Sequence, residues 1–125
     1  MRAGGAALTA SVLAALFCGC LTGLALPKPG FCLLAWFSLA PLFYLWRRCR
    51  GRRQAALIGL AAGFGYHATV LYWIYSTCRF AGLPAALGLL AWWALAAFLA
   101  LNWAAIGVLG RRFAENRPVL RPWTW

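Results

Sequence analysis

The chain is 125 residues long, 65% of its residues are hydrophobic and only 10% are charged. Ordinary soluble domains are about half apolar and about a quarter charged, so this composition excludes a soluble globular domain. The net charge of +11 would in bulk suit a nucleic-acid partner, but the positions of the cations exclude that partner as well.

Four long uncharged stretches alternate with short segments that collect nearly all the arginines. A bilayer core about 30 Å thick requires roughly 20 apolar residues in helical form, and a helix that is apolar all round must face protein or lipid. The pattern therefore predicts an all-α polytopic membrane protein, a single transmembrane module whose four transmembrane helices form two hairpins. The predicted helices cover about residues 7–26, 31–46, 54–78 and 83–110.

The first predicted helix follows Arg2 and resembles a signal peptide. Its apolar run is longer than a usual signal core and leads into another apolar segment, so an uncleaved signal anchor is the preferred interpretation. Gly19 and Gly23 stand in Gly-x-x-x-Gly spacing, which lets a neighbouring helix approach closely. Pro27 and Pro29 then predict a reversal of the chain, since proline denies a helix its donor.

The second predicted helix is short for a span and contains Pro41, so it is expected to be short or kinked. Trp46 is followed directly by Arg47, a pair typical of an interfacial anchor. The arginine-rich segment that begins there is predicted to be the first cytoplasmic loop.

Ten of the twelve cationic residues fall on one side of the membrane if the four stretches are spans. Short loops rich in lysine and arginine stay cytoplasmic, which predicts that both termini are cytoplasmic. Only Lys28 and Arg79 fall on the other side. We interpret the ten as topology determinants that also touch anionic headgroups, and we predict no nucleic-acid partner. The ten are Arg2, Arg47, Arg48, Arg50, Arg52, Arg53, Arg111, Arg112, Arg117 and Arg121.

The third predicted helix changes character along its length, from glycine-rich to aromatic. Aromatic residues in a span meet the interface or line a groove. His67 lies among them near mid-membrane, where an ionisable residue is a candidate functional residue. A neutral imidazole hydrogen-bonded across a helix pair is the alternative interpretation. The candidate lipid-facing or groove residues are Tyr72, Trp73, Tyr75 and His67.

A turn over residues 80–84 precedes the fourth predicted helix, and Pro84 suits the first turn of that helix. Asn102 is expected to make an interhelical hydrogen bond worth about 1 kcal/mol. The tryptophans of this helix are expected to pack or to contact lipid. Residues 111–125 are predicted to be a cytoplasmic tail or the start of a further helix.

No catalytic, cofactor-binding or metal-binding residues are predicted. A catalytic site needs convergent acid, base, nucleophile or metal ligands, and Glu115 is the only acidic residue. The five cysteines are an odd number without metal-ligand spacing, so we interpret them as small buried hydrophobes. An alternative function is a small oligomeric transporter or channel built around His67 and Asn102.

Several short motifs occur in a particular order along the chain. They are a proline-containing turn, a segment with Trp36 that ends in Pro41-Leu42, an arginine-rich loop, a glycine run, a Leu-Tyr-Trp-Ile-Tyr sequence and a second turn. Together they occupy residues 25–30, 34–42, 47–53, 59–65, 71–75 and 80–84. This order resembles the N-terminal membrane region of bacterial apolipoprotein N-acyltransferases.

The resemblance implies a protein of the bacterial inner membrane and an enzyme family that transfers an acyl chain from phospholipid to the N-terminal cysteine of lipoproteins. In that family further helices and a nitrilase-like domain with a Glu-Lys-Cys triad follow, and none of the triad maps onto this sequence. Residues 117–125 resemble the start of the family's fifth helix. We therefore expect a truncated or split form with a scaffold and lipid-access role and no activity alone. The expected partners are membrane phospholipid and a separately encoded remainder of the enzyme, with no cofactor.

Overall fold

The computed structural model describes residues 3–25, 32–49 and 51–116. These residues form five α-helices: α1 (Ala3–Ala25), α2 (Cys32–Arg48), α3 (Arg52–Val70), α4 (Tyr72–Phe80) and α5 (Ala85–Asn116). No strand occurs in this part of the chain, which confirms the all-α prediction. The predicted turn around Lys28, the residue Arg50 and the sequence 117–125 lie outside the described residues.

Among the described residues, two helical segments are long and apolar enough to cross a membrane, Ala7–Ala25 in α1 and Ala85–Phe113 in α5. A third crossing is present if α3 and α4 together form one bent span. Helix α2 has 17 residues and is not among these candidates. The described residues are thus those of a membrane protein with two or three candidate spans, and the predicted count of four is not confirmed.

Helix α3 lies between α1 and α5 and packs extensively against both. Glycines make the closest contacts: Gly65 faces the Leu16 carbonyl of α1, and Gly59 faces the Trp103 backbone of α5. Because lipid is as apolar as the helices, helix association in a membrane depends on such close packing, and small residues permit it.

Helix α2 packs mainly against α1, where the contact includes a buried polar pair. The hydroxyl oxygens of Thr22 and Ser38 are 2.7 Å apart. The Thr22 hydroxyl is also 2.8 Å from the Cys18 carbonyl oxygen, to which it donates along α1. Leu42, one turn further along α2, is fully buried.

The predicted third helix, 54–78, is divided at Leu71 into α3 and α4, which are bent by 40° relative to each other. Leu71 has φ −92° and ψ 9°, outside the α-helical region. The Ile74 N–H donates to the Leu71 carbonyl at 3.0 Å in a tighter turn. The single long helix of the sequence prediction is therefore two helices in the structure.

Two side chains just before the break bond back along α3. His67 Nδ1 is 2.7 Å from the Gly63 carbonyl oxygen, and Thr69 donates to the Gly65 carbonyl at 2.8 Å. Such bonds to the carbonyl four residues earlier compete with the helical backbone ladder and bend helices.

The turn between α4 and α5 closes through a glycine with φ +80°, Gly82. The Gly82 N–H donates to the Arg79 carbonyl at 3.1 Å, and the Leu83 N–H donates to the Cys78 carbonyl at 3.0 Å. This pair of bonds is a Schellman motif, which satisfies the final carbonyls of a helix and requires a left-handed residue. Pro84 then accepts the first bonds of α5, from the N–H groups of residues 87 and 88.

The opposite end of the bundle brings α2, α3 and α5 together. Cys49, just after α2, is buried and donates its thiol to the Leu45 carbonyl at 3.3 Å. Burial raises the pKa of the Cys49 thiol, and the Arg111 guanidinium opposes this shift of the pKa. Arg111 of α5 therefore lies near the loop between α2 and α3. Helix α5 continues to Asn116, so residues 111–116 of the predicted tail are helical.

Candidate functional site

The structure places the predicted site residues on both sides of the Leu71 break. His67 lies in the last turn of α3, and the three aromatic residues lie on α4. Tyr72 and Trp73 are 61% and 53% exposed, whereas Tyr75 is partly buried against Gly88 of α5. The described ring contact of His67 is with Tyr66, at 5.0 Å between ring centroids, and not with the aromatic residues of α4.

The hydrogen bond of His67 determines which of its ring nitrogens is available. A carbonyl oxygen only accepts, so the contact with Gly63 requires the proton on Nδ1. The neutral ring then presents Nε2 as an acceptor. This hydrogen bond lies within α3. The alternative interpretation from the sequence was a hydrogen bond from His67 to a neighbouring helix, and the described bond is not of that kind.

A tryptophan of α5 holds the end of α3 next to the break. The Trp92 indole donates to the Ala68 carbonyl at 3.0 Å. The last four carbonyl groups of a helix have no hydrogen-bond partner within the helix. The bond from Trp92 therefore supplies a donor to one of these carbonyl groups, that of Ala68. Trp92 and Ala68 are 24 residues apart, and no local pattern in the sequence signals their pairing.

Aromatic contacts continue from the break along the α3–α5 contact. Phe64 stacks on Trp93 with 5.3 Å between ring centroids, and Trp93 is 5.2 Å from Trp92. Tyr66 meets Trp103 at 5.4 Å. Such ring pairs are each worth about 0.5–1.5 kcal/mol beyond the area they bury. The sequence predicted packing or lipid contact for these tryptophans but not their partners.

An open groove of about 270 Å³ lies between α1, α3 and α5. Every side chain that lines it is apolar. The lining residues are Val12, Leu57, Leu60, Ala61, Phe64, Ala97 and Ala100. Phe64, the lining residue nearest the break, lies about two helical turns before Leu71, so the groove ends about two turns from the break.

The apolar groove, His67 and the exposed rings follow one another along α3 and α4. An apolar groove leads towards the break, where His67 offers an acceptor nitrogen and Tyr72 and Trp73 present exposed rings. Ligand sites are commonly concave, mostly apolar and supplied with few polar groups. Within the part of the chain that the structure describes, no group of three or more His, Cys, Asp or Glu residues is placed to hold a metal ion.

Comparisons with known proteins identify relatives of this sequence. The family model for the N-terminal domain of apolipoprotein N-acyltransferase matches residues 18–125. An apolipoprotein N-acyltransferase of Geobacter metallireducens is 36% identical over 107 residues, covering 83% of this chain and 20% of that protein. One from Vibrio vulnificus is 40% identical over 109 residues, covering 86% of this chain and 21% of that protein. The chain thus spans about a fifth of the length of these relatives. No solved structure matches it.

Proposed function

Because the chain belongs to the apolipoprotein N-acyltransferase family through its N-terminal domain, we propose that it is the membrane portion of an enzyme of that family. Such an enzyme transfers an acyl chain from phospholipid to the N-terminal cysteine of lipoproteins. The family assignment favours this function over the transporter or channel that the sequence left open.

We propose a finer arrangement for the membrane portion. Helix α2 acts as a short fourth span, so the spans form two hairpins, and both termini face the cytoplasm from a bacterial inner membrane. If the four stretches are spans, ten of the twelve cations in the sequence fall on one side of the membrane, which supports this orientation. A separately encoded chain that carries the catalytic residues is the proposed protein partner.

The proposed contribution of this portion is to scaffold the enzyme and to give phospholipid lateral access. The observation that carries the proposal is the apolar groove that ends about two helical turns before the α3–α4 break. An acyl chain occupies the groove, and Tyr72, Trp73 and Tyr75 lie near the outer headgroups, where aromatic rings are favoured. His67, which precedes Tyr72 by more than one helical turn, lies deeper in the membrane than these rings.

Photo-crosslinking tests the groove. We expect a phosphatidylethanolamine with a diazirine in its acyl chain to label residues 57–64 in the chain reconstituted in vesicles. Ala97→Leu enlarges a side chain that lines the groove, so it should reduce this labelling several-fold. Mass spectrometry of the labelled peptides measures the effect.

Ala94→Leu is the matched control, since Ala94 is an exposed alanine of the same helix outside the groove lining. It should leave the labelling unchanged. Equal labelling of the two variants, or labelling spread evenly over all helices, would show that the groove is ordinary lipid-facing surface.

We also expect the 125-residue chain alone to transfer no acyl group. Its only acidic residue is Glu115, and acyl transfer through a triad needs an acid or base beside the nucleophile. The measurement is the mass of a diacylated lipopeptide after incubation with the purified chain and phospholipid. A mass increase of one acyl chain would overturn this part of the proposal.

A further inference from the structure

Among the described residues, six arginines from three helices are concentrated at one end of the bundle, called here the arginine end. Arg47 and Arg48 end α2, Arg52 and Arg53 begin α3, and residues 111 and 112 lie in the last turns of α5. The whole chain contains one acidic residue. The positive charge at this end therefore exceeds any negative charge that the protein itself can supply.

Close helix packing brings these arginines together. A Cβ on Gly107 of α5 would lie 2.6 Å from the Ala55 carbonyl oxygen of α3 and 3.1 Å from Trp46 Nε1 of α2. Arg111 follows Gly107 by one turn and acts electrostatically on the Cys49 thiol. The end of α5 is thus held beside the end of α2 and the start of α3.

The surroundings of the arginines match a lipid better than a free anion. Arg48 stacks over the Tyr44 ring, with its guanidinium carbon 4.7 Å from the ring centroid. Phe43, Leu109 and Phe113, at the same end, are 56%, 49% and 65% exposed. A ligand that fits must carry an anionic group that binds the guanidinium groups. It must also carry apolar chains that contact the adjacent exposed side chains.

We propose that the arginine end binds the phosphodiester of an anionic phospholipid, at a site separate from the groove between α1, α3 and α5. Guanidinium groups bind phosphate oxygens bidentately, which a lysine cannot do. Basic residues at the end of a membrane span lie at headgroup level, where anionic lipids are found. This inference does not depend on the acyl-transfer function.

Lipid binding by the full 125-residue chain in a zwitterionic detergent tests the proposal. We expect phosphatidylglycerol to bind at least tenfold more tightly than phosphatidylcholine with the same acyl chains. Removing one arginine should weaken binding about fivefold, since each basic residue near an anionic surface contributes about 1 kcal/mol. The double variant Arg48→Gln/Arg111→Gln should therefore bind phosphatidylglycerol about 25-fold more weakly.

Arg79→Gln is the matched control, because Arg79 lies at the opposite end of the bundle, where it donates to the Leu83 carbonyl. It should bind phosphatidylglycerol as the unchanged chain does. If the double variant fails to fold, the unchanged chain in 1 M NaCl provides the test, because the Debye length falls to about 3 Å and binding should weaken strongly.

Three results of these binding measurements would overturn the proposal, and a fourth comes from competition with phosphate. The first three are equal affinity for the two lipids, an equal loss of affinity in Arg79→Gln and in the double variant, and affinity that does not change with salt. Displacement of the lipid by millimolar inorganic phosphate would also overturn it, by showing a site for free anions.

Discussion

Gly65→Ala should lower the free energy of unfolding of this chain by about 1–3 kcal/mol, the usual cost of overpacking a close contact. The added methyl group would overlap the Leu16 carbonyl oxygen and lie 3.1 Å from the Cys20 backbone nitrogen. Both obstacles are backbone atoms of α1, so relief requires the helices to separate. Unfolding in detergent by titration with sodium dodecyl sulfate, followed by circular dichroism, measures the change.

Gly110→Ala provides the control for helix propensity. Gly110 lies in α5, and nothing is within 4 Å of an added Cβ. Because alanine favours a helix over glycine by up to about 1 kcal/mol, this variant should be as stable as the unchanged chain or more so. A loss of stability in Gly110→Ala equal to that in Gly65→Ala would mean that the α1–α3 contact is not the cause.

Trp103→Ala should cost about 2–3 kcal/mol of stability, somewhat below the range for a fully buried tryptophan because Trp103 is partly buried. Its ring contacts Tyr66 of α3, and its side chain covers Gly63, where an added Cβ would lie 2.7 Å from its Cγ. The same denaturation assay measures the loss. Trp36→Ala removes a tryptophan that is 77% exposed and should change stability by less than about 0.5 kcal/mol.

A double-mutant cycle distinguishes the contact between Gly63 of α3 and Trp103 of α5 from a general loss of packing. Gly63→Ala alone should destabilise the chain, because its methyl group meets the indole of Trp103. Trp103→Ala removes two of the three obstructing atoms, Cγ and Cδ1, and leaves the Cβ, which is also 2.7 Å from the added methyl group. In this background Gly63→Ala should therefore cost about 1 kcal/mol less but should still destabilise the chain. Strictly additive effects would contradict the described α3–α5 packing.

The long uncharged stretches were sufficient to predict an all-helical membrane protein, because length and composition alone determine whether a helix can cross a bilayer. These stretches were not sufficient to predict how many helices cross the membrane. Helix α2 has only 17 residues, and the break at Leu71 is accompanied by side-chain hydrogen bonds of His67 and Thr69 to the helix backbone. Periodicity in the sequence does not determine the rotamers of those side chains.

The candidate site was only partly predictable for a related reason. His67 and the exposed rings of Tyr72 and Trp73 could be selected as unusual residues in an apolar span. The bond from Trp92 to Ala68 joins residues far apart in the chain, and the groove exists only where three helices meet. Both depend on tertiary packing, which the local pattern of residues along the chain does not specify.

The hydrogen bond between Thr22 and Ser38 also bears on how the chain is assembled during synthesis. It joins residues only 16 positions apart, so the loop that it closes costs little conformational entropy. The contact of Leu16 with Gly65 involves a much longer loop. Helix α1 can therefore pair with α2 first, while its surface around Leu16 and Cys20 remains against lipid until α3 has been made.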